Sequence, residues 1–106
     1  SGLIRDLRVT VLGPVRQELL SGISDADRFE DLRQKFAVFS DHPLVTADYE
    51  LAARCSNECR VRGVQGSTTD FLLCAVALRH DFAIFTLDAD FERFRKILPV
   101  KLFAAG

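Results

Sequence analysis

The sequence predicts an α/β protein with a mainly parallel sheet. Short runs rich in β-branched and apolar residues, at 8–12, 82–87 and 100–103, alternate along the chain with longer segments of helical periodicity. Glycine, proline and helix-capping residues separate these segments. Since strands that are joined through helices pair in the same direction, the alternation predicts parallel strands with helices on both faces of the sheet.

The first half of the chain predicts two strands and two helices. The strand at 8–12 precedes Pro14, which suits the first turn of a helix that ends at Gly22. Ser24 is expected to begin a second helix, which carries its apolar side chains on one face. An extended stretch interrupted by Pro43 follows this helix.

The second half predicts two longer helices and then a strand, a helix and a strand. Thr46 is expected to cap a helix that stops at Gly63, and the run of hydroxyl residues from Ser67 is expected to cap a helix that ends near His80. The remaining expected elements are a strand at 82–87, a short amphipathic helix at 88–97 and a strand at 100–103.

Composition indicates one globular domain over residues 1–106. The chain has 48% hydrophobic and 27% charged residues, with a net charge of -1 that gives no overall attraction to nucleic acid. We expect a cytoplasmic setting, because neither a signal peptide nor an apolar membrane-spanning segment is present. Cys55 and Cys59 could in principle begin a zinc site, but together with Cys74 they are better interpreted as ordinary buried thiols.

Four acids occupy positions where a parallel sheet could bring them together. Glu18 lies one turn into the helix after the first strand, Asp88 and Asp90 follow the strand at 82–87, and Asp70 lies on the first turn of the helix that leads to that strand. Ligands bind beyond the carboxyl ends of parallel strands. We therefore expect these carboxylates to converge at one end of the sheet.

Converging carboxylates repel one another unless a cation lies between them. Hard oxygen ligands favour Mg²⁺ or Mn²⁺, which can also hold a phosphate and a water molecule. The predicted chemistry is therefore metal-assisted hydrolysis of a phosphodiester, which requires no cysteine, serine or histidine nucleophile.

Three segments in the same order resemble the PIN domain, most closely the VapC-type ribonuclease toxins of bacterial toxin-antitoxin pairs. They are "PVRQELLSG" at 14–22, "STTDFLLCAVALRHDFAIFTLDADF" at 67–91 and the closing "VKLF" at 100–103. Each segment alone is weakly specific, but their order and spacing together are more specific.

The resemblance implies a three-layer α/β/α fold and a metal-dependent endoribonuclease. Its catalytic acids would be Glu18, Asp70 and Asp88, which with Asp90 would also be the ligands of Mg²⁺ or Mn²⁺. Thr86 would orient a carboxylate or water by hydrogen bonding. The implied partners are an RNA substrate, a second copy of the chain in a homodimer, and a cognate VapB-type antitoxin whose tail enters the acidic site.

The sequence departs from the PIN pattern at its start. PIN domains open with an apolar strand that ends in an Asp, the first metal ligand, and no residue here matches it. Asp6 precedes its strand beside two arginines and is a poor substitute. We therefore expect the chain to be an N-terminally truncated fragment that lacks the first strand. On this interpretation the intact protein is active, and the fragment is a weak or inactive nuclease.

Each acid also has a purely structural interpretation. Asp70 would stabilise its helix through the macrodipole, Asp88 could cap the following helix with Asp90 on its first turn, and Glu18 could be an exposed helix acid. The arginines are solvated surface charge by default, although some could border an RNA path; they are Arg16, Arg60, Arg62, Arg79, Arg93 and Arg95.

Two other classes of protein remain to be weighed. The Asp-x-Asp pattern of Asp88 and Asp90 also resembles that of haloacid dehalogenase-type phosphatases, but such enzymes need a large domain after the motif. A non-enzymatic module is the second class. A receiver domain would use Lys101 but lacks an evident central acid, so the serious alternative is a catalytically degenerate PIN module that acts by binding a partner.

Overall fold

A computed structural model describes residues 10–86 and 88–103 of the chain. The chain divides into two compact units, Ser1–Pro43 and Leu44–Gly106. The expected strand residues 8 and 9, together with Asp6, lie outside the described residues. Within the described part, no helix is both long enough and apolar enough to cross a membrane.

In its described residues, 10–43, the first unit contains two strands and two helices, in the predicted order. They are β1 (Thr10–Leu12), α1 (Gly13–Ser21), α2 (Ala26–Phe36) and β2 (Ser40–His42). The strands pair in parallel, with Thr10 opposite Ser40 and Leu12 opposite His42. Parallel pairing was predicted from the alternation of strands and helices, and in this unit it is confirmed.

The helix boundaries of the first unit follow from local chemistry. Pro14 lies in the first turn of α1, where its missing N–H costs nothing, and Gly22 follows its last turn. The cap of α2 is Asp25, whose carboxylate accepts a hydrogen bond from the backbone N–H of Arg28 at 2.9 Å. The prediction of Ser24 as the cap was wrong by one residue, because Asp25 has the extended backbone that lets its side chain reach back to the helix.

Arg16 joins three parts of the first unit. Its guanidinium donates to the Asp41 carboxylate at 2.8 Å and to the carbonyl oxygens of Phe36 at 2.8 Å and Phe39 at 2.6 Å. The side chain is only 20% exposed. The default interpretation of Arg16 as solvated surface charge was therefore wrong, since its donors link α1 to the end of α2 and to β2.

The described part of the second unit, residues 44–86 and 88–103, contains three helices and a second parallel pair of strands. They are α3 (Thr46–Val61), α4 (Thr68–His80), β3 (Ala83–Ile84), α5 (Asp90–Arg95) and β4 (Lys101–Leu102). The strands β3 and β4 pair in parallel, with Ala83 opposite Lys101. The strand predicted at 82–87 is thus shorter than expected. The Ile84 carbonyl oxygen accepts a hydrogen bond from the Phe103 N–H at 2.7 Å. Beyond Ile84 the chain turns, and there the Thr86 hydroxyl accepts a hydrogen bond from the Asp88 N–H.

The core of the second unit is formed where α3 packs on α4 and where Phe91 and Phe94 of α5 pack with Phe71 of α4. The ring of Phe94 is 5.1 Å from the ring of Phe71 and 5.1 Å from that of Phe91, measured between centroids, and all three side chains are buried. Six residues of α4 contribute to this core: Phe71, Leu72, Cys74, Ala75, Val76 and Ala77. Their apolar surface provides the main favourable term for docking the helix.

The three cysteines lie in this core as free, buried thiols, as predicted. Burial raises the pKa of Cys55 to about 11 and that of Cys74 to about 12, and it also raises the pKa of Cys59. Because the thiolate is the reactive form, these side chains act as small apolar groups at neutral pH.

An ion pair between the buried Asp48 and the partly exposed Arg79 holds the start of α3 and the end of α4 together. Asp48 is fully buried, and its carboxylate accepts from Arg79 at 2.5 Å and from the backbone N–H of Val45 at 2.9 Å. Thr46 was predicted as the cap of α3, but it lies inside the helix, and Asp48 satisfies the preceding N–H instead. Arg79 is consequently a structural partner of Asp48 and not a solvated charge.

Replacing Asp48 with alanine is expected to lower the free energy of unfolding by roughly 2 to 4 kcal/mol, because it leaves Arg79 and the Val45 N–H without their acceptor. Chemical denaturation monitored by circular dichroism measures this change. Arg95→Ala, which breaks an exposed pair with Glu92, is the matched control and should cost at most about 0.5 kcal/mol. Equal losses in both variants would contradict the structural role of Asp48.

The Asp48 carboxyl also predicts an acid-dependent loss of stability. Burial alone would raise its pKa, but the Val45 N–H and the Arg79 guanidinium outweigh burial and hold the pKa below the ordinary value of 3.8. The stabilisation is therefore present above that value and is lost as the pH falls through the lowered pKa. The difference in unfolding free energy between wild type and Asp48→Asn should shrink below about pH 4. A difference that does not change with pH would contradict this linkage.

Candidate functional site

Asp70 is held at the N-terminus of α4 by a reciprocal capping box. The hydroxyl of Ser67 accepts from the Asp70 N–H at 3.0 Å, and Oδ2 of Asp70 accepts from the Ser67 N–H at 3.0 Å. The Asp70 side chain is half-buried. Oδ1 has no hydrogen-bond donor among the residues that the structure describes. One oxygen of this carboxylate is thus committed to the helix start, and the other is available to a ligand.

The helix behind Asp70 fixes where this carboxylate lies. Phe71 and Leu72, the next two residues, are buried in the core of the second unit. Cys74 lies one turn further along, and the Asp70 charge adds to the burial and to the neighbouring Cys55 and Cys59 in raising the pKa of its thiol. Asp70 is therefore carried on a helix end whose position is set by packing, and it does not depend on a mobile loop.

Thr86, Asp88 and Asp90 form a chain of short-range hydrogen bonds after β3. The Thr86 hydroxyl accepts from the Asp88 N–H at 3.0 Å, and Oδ1 of Asp88 accepts from the Asp90 N–H at 2.9 Å. Such side chain to backbone bonds replace strand pairing with a turn. Asp88 is exposed, and within the described residues its second oxygen has no donor. Thr86 was predicted to orient a carboxylate, and here it fixes the backbone that carries one.

Asp90 has a local partner of opposite charge. Its Oδ1 accepts from Arg93 at 2.7 Å, one turn later in α5. Both side chains are partly exposed, so the pair contributes little to stability. Of the four candidate acids, Asp90 is the one whose side chain forms an ion pair within its own helix.

Glu18 lies on α1, in the first unit, and its side chain is exposed. The other three acids belong to the second unit, where α4 and the segment after β3 carry them. The convergence of Glu18 with Asp70, Asp88 and Asp90 stays a prediction. The exposed position of Glu18 on α1 also matches its structural interpretation as an exposed helix acid.

The second-unit acids fit a hard cation by their donor chemistry. Asp70 and Asp88 each have a carboxylate oxygen that no described donor occupies, and carboxylate oxygens are the ligands that Mg²⁺ and Mn²⁺ prefer. Across residues 10–86 and 88–103, no three or more His, Cys, Asp or Glu side chains gather closely enough to hold a metal ion. The donor chemistry of Asp70 and Asp88 thus suits a divalent cation, while the described residues gather no such metal-binding group.

Sequence reasoning missed Asp48, the one acid among the described residues that is fully buried. The sequence signal that could have found it is an acid three residues after Val45, in the first turn of a predicted helix. The pattern predicts the hydrogen bond to the Val45 N–H. It does not predict Arg79, which is distant in sequence and is brought to Asp48 by the packing of α3 on α4.

Comparison with known protein families gives one match. The PIN domain family matches residues 2–97 of the chain. PIN domains have a three-layer α/β/α fold, are generally nucleases and typically use divalent metals. The predicted fold class is therefore confirmed. No curated protein matches the chain closely enough to provide a named relative.

Ser67→Ala is expected to lower the free energy of unfolding by about 1 kcal/mol, because it removes the acceptor for the Asp70 N–H. Thermal or chemical denaturation measures the change. Thr68→Ala, one residue later in the first turn, is the control and should cost less than about half as much, since the Thr68 side chain makes no cap hydrogen bond. A neutral Ser67→Ala variant would refute the capping box.

Proposed function

The chain belongs to the PIN domain family, and from that premise we propose that it is a metal-dependent endoribonuclease, the toxin of a VapBC-type toxin-antitoxin pair. The proposed reaction is hydrolysis of an RNA phosphodiester bond. The sequence supports the assignment to VapC-type toxins through the ordered segments at 14–22, 67–91 and 100–103. PIN domains are generally nucleases, which supports the broader part of the proposal.

The observation that carries the proposal is the state of the Asp70 carboxylate. Its Oδ2 is fixed by the Ser67 N–H at 3.0 Å, and the described residues leave its Oδ1 without a donor. A side chain that is already ordered loses little conformational entropy when it binds a ligand. Asp70 can therefore present one oxygen in a defined position without further ordering.

In the proposed mechanism Asp70 and Asp88 would hold Mg²⁺ or Mn²⁺, and Glu18 and Asp90 would be further ligands. Such a cation, when bound, lowers the pKa of its water and stabilises negative charge on the phosphate. The Thr86 hydroxyl contributes by holding the Asp88 N–H, which keeps the acid at the start of the turn after β3. Oδ1 of Asp88 in turn holds the Asp90 N–H and so positions α5.

The proposed partners follow from the same assignment. We propose that the protein forms a homodimer, acts on RNA in the cytoplasm and is inhibited by a cognate VapB-type antitoxin. Exposed carboxylates such as Asp88 and Glu18 suit an inhibitory tail that carries cationic side chains, because guanidinium groups bind carboxylates in a bidentate way.

A second candidate function is a catalytically degenerate PIN module that acts by binding a partner. Two observations favour it: Asp90 is paired with Arg93, and the described residues gather no group of three metal-ligating side chains. The two candidates differ in whether loss of one carboxylate charge changes RNA cleavage.

Asp70→Asn is expected to lower Mn²⁺-dependent RNA cleavage by about 100-fold or more, because it removes a charged metal ligand. An amide oxygen can still accept from the Ser67 N–H, so the unfolding free energy should change by less than about 0.5 kcal/mol. The measurement is cleavage of a fluorescent RNA by the intact protein, with denaturation recorded for the same samples.

Asp27→Asn is the matched control, since Asp27 is the first-turn acid of α2 and has no role in the proposed site. It should retain wild-type cleavage. Equal activity in the Asp70→Asn variant and wild type would refute the metal site. Absence of cleavage by wild type would instead favour the partner-binding module.

A further inference from the structure

A polar cleft lies beside the N-terminus of α4. It encloses about 230 Å³, below the size of typical small-molecule sites, and it is large enough for one small polar group. Its lining residues come from the end of α3, the following loop and the start of α4: Ser56, Arg60, Val64, Gln65, Gly66 and Phe71. All of them belong to the second unit.

The loop that forms one wall of the cleft is anchored at both ends. Gly63 has a φ of +76°, its N–H donates to the Arg60 carbonyl at 3.0 Å, and the Val64 N–H donates to the Cys59 carbonyl at 2.9 Å. Gly66 then passes so close to the core that an added Cβ would lie 2.6 Å from Phe94. The wall is therefore set by the end of α3 and by core packing, so its shape exists before any ligand binds.

Arg60 gives the cleft an uncompensated positive charge. Its guanidinium donates to the Asn57 side-chain oxygen, and no carboxylate of the described residues lies within ion-pair distance. Five other described arginines are paired with acids, namely Arg16, Arg33, Arg79, Arg93 and Arg95, whereas Arg28, Arg54 and Arg62 share with Arg60 the lack of an ion pair among the described residues. The cleft lining in the described part contains no Asp or Glu. A cation in a small cleft without acids favours an anionic occupant.

The other polar groups of the cleft specify the class of anion. The Ser56 hydroxyl and the Gln65 amide can donate hydrogen bonds and line the same cleft as Arg60. Arginine, serine and glutamine side chains are common donors to phosphate oxygens in protein complexes with nucleic acids. We propose that this cleft binds one phosphate of a single-stranded RNA, with Arg60 as the principal contact.

The position of the cleft relates this phosphate to the candidate catalytic acid. Gly66 and Phe71 line the cleft and directly flank the capping box of Ser67 and Asp70. The inference rests on the proposed nuclease function, since it makes the cleft a subsite for a phosphate next to the one that is cut. Arg60 would then set the register of the strand relative to Asp70 without touching the reacting atoms.

The test is RNA binding by the intact protein in chelator, where cleavage cannot occur. A short fluorescent single-stranded RNA is titrated by anisotropy at several salt concentrations. Arg60→Gln should weaken binding about five- to ten-fold and reduce the slope of log affinity against log salt by about 0.7, the value for one lost phosphate contact. Arg62→Gln, two residues away and outside this cleft, is the control and should change affinity less than about two-fold.

A series of RNAs with one neutral methylphosphonate linkage separates a local phosphate contact from general charge. When the neutral linkage replaces the phosphate that Arg60 contacts, wild type should lose as much affinity as the Arg60→Gln substitution costs on unmodified RNA. The Arg60→Gln variant should bind this modified RNA and the unmodified RNA equally well. Gln65→Ala should weaken binding at the same linkage. No RNA binding by wild type, or equal effects of Arg60→Gln and Arg62→Gln, would overturn the inference. If wild type binds RNA as expected but shows no metal-dependent cleavage, the proposed nuclease function is refuted, while the phosphate contact of Arg60 is supported.

Discussion

The second unit depends on the buried carboxylate of Asp48. Removing a charge from water is costly, so Asp48 is tolerated only because the Val45 N–H and the Arg79 guanidinium both donate to it. One donor belongs to the start of α3 and the other to the end of α4. The pair therefore restricts how far one helix can slide along the other. The far ends of the same helices carry Arg60 and Asp70, so the alignment imposed at Asp48 also bears on the candidate site.

The candidate site is built from side chains that also shape the backbone. Asp70 closes the capping box with Ser67, and Asp88 holds the Asp90 N–H while its own N–H is held by Thr86. These are the structural roles that each acid could have in isolation. They do not exclude ligand binding, because a carboxylate has two oxygens and each of these local bonds uses one. The local bonds instead order the side chain before a ligand arrives, which lowers the entropic cost of binding.

Arg16 and Arg79 differ from Arg60 in their surroundings. Arg16 and Arg79 are bound to carboxylates or carbonyl oxygens of distant parts of the chain, so their charge is used within the fold. Arg60 hydrogen-bonds only to the nearby Asn57 amide among the described residues and lines a cleft without acids. A net charge of -1 gives no overall attraction to RNA, so the proposed RNA binding would depend on local positive charge such as that of Arg60.

The order of helices and strands, the stops at Gly22 and Gly63 and the cap at Ser67 could be predicted from the sequence alone, because each depends on neighbouring residues or on a regular period. The parallel pairing followed from the alternation of strands with helices. It also located Asp70 at a helix start. The burial of Asp48 against Arg79 and the shortening of the strand after Phe82 to Ala83–Ile84 became evident from the folded structure. The partners in these cases lie far apart in the chain, and burial and hydrogen bonding between distant segments leave no local pattern from which they could be predicted.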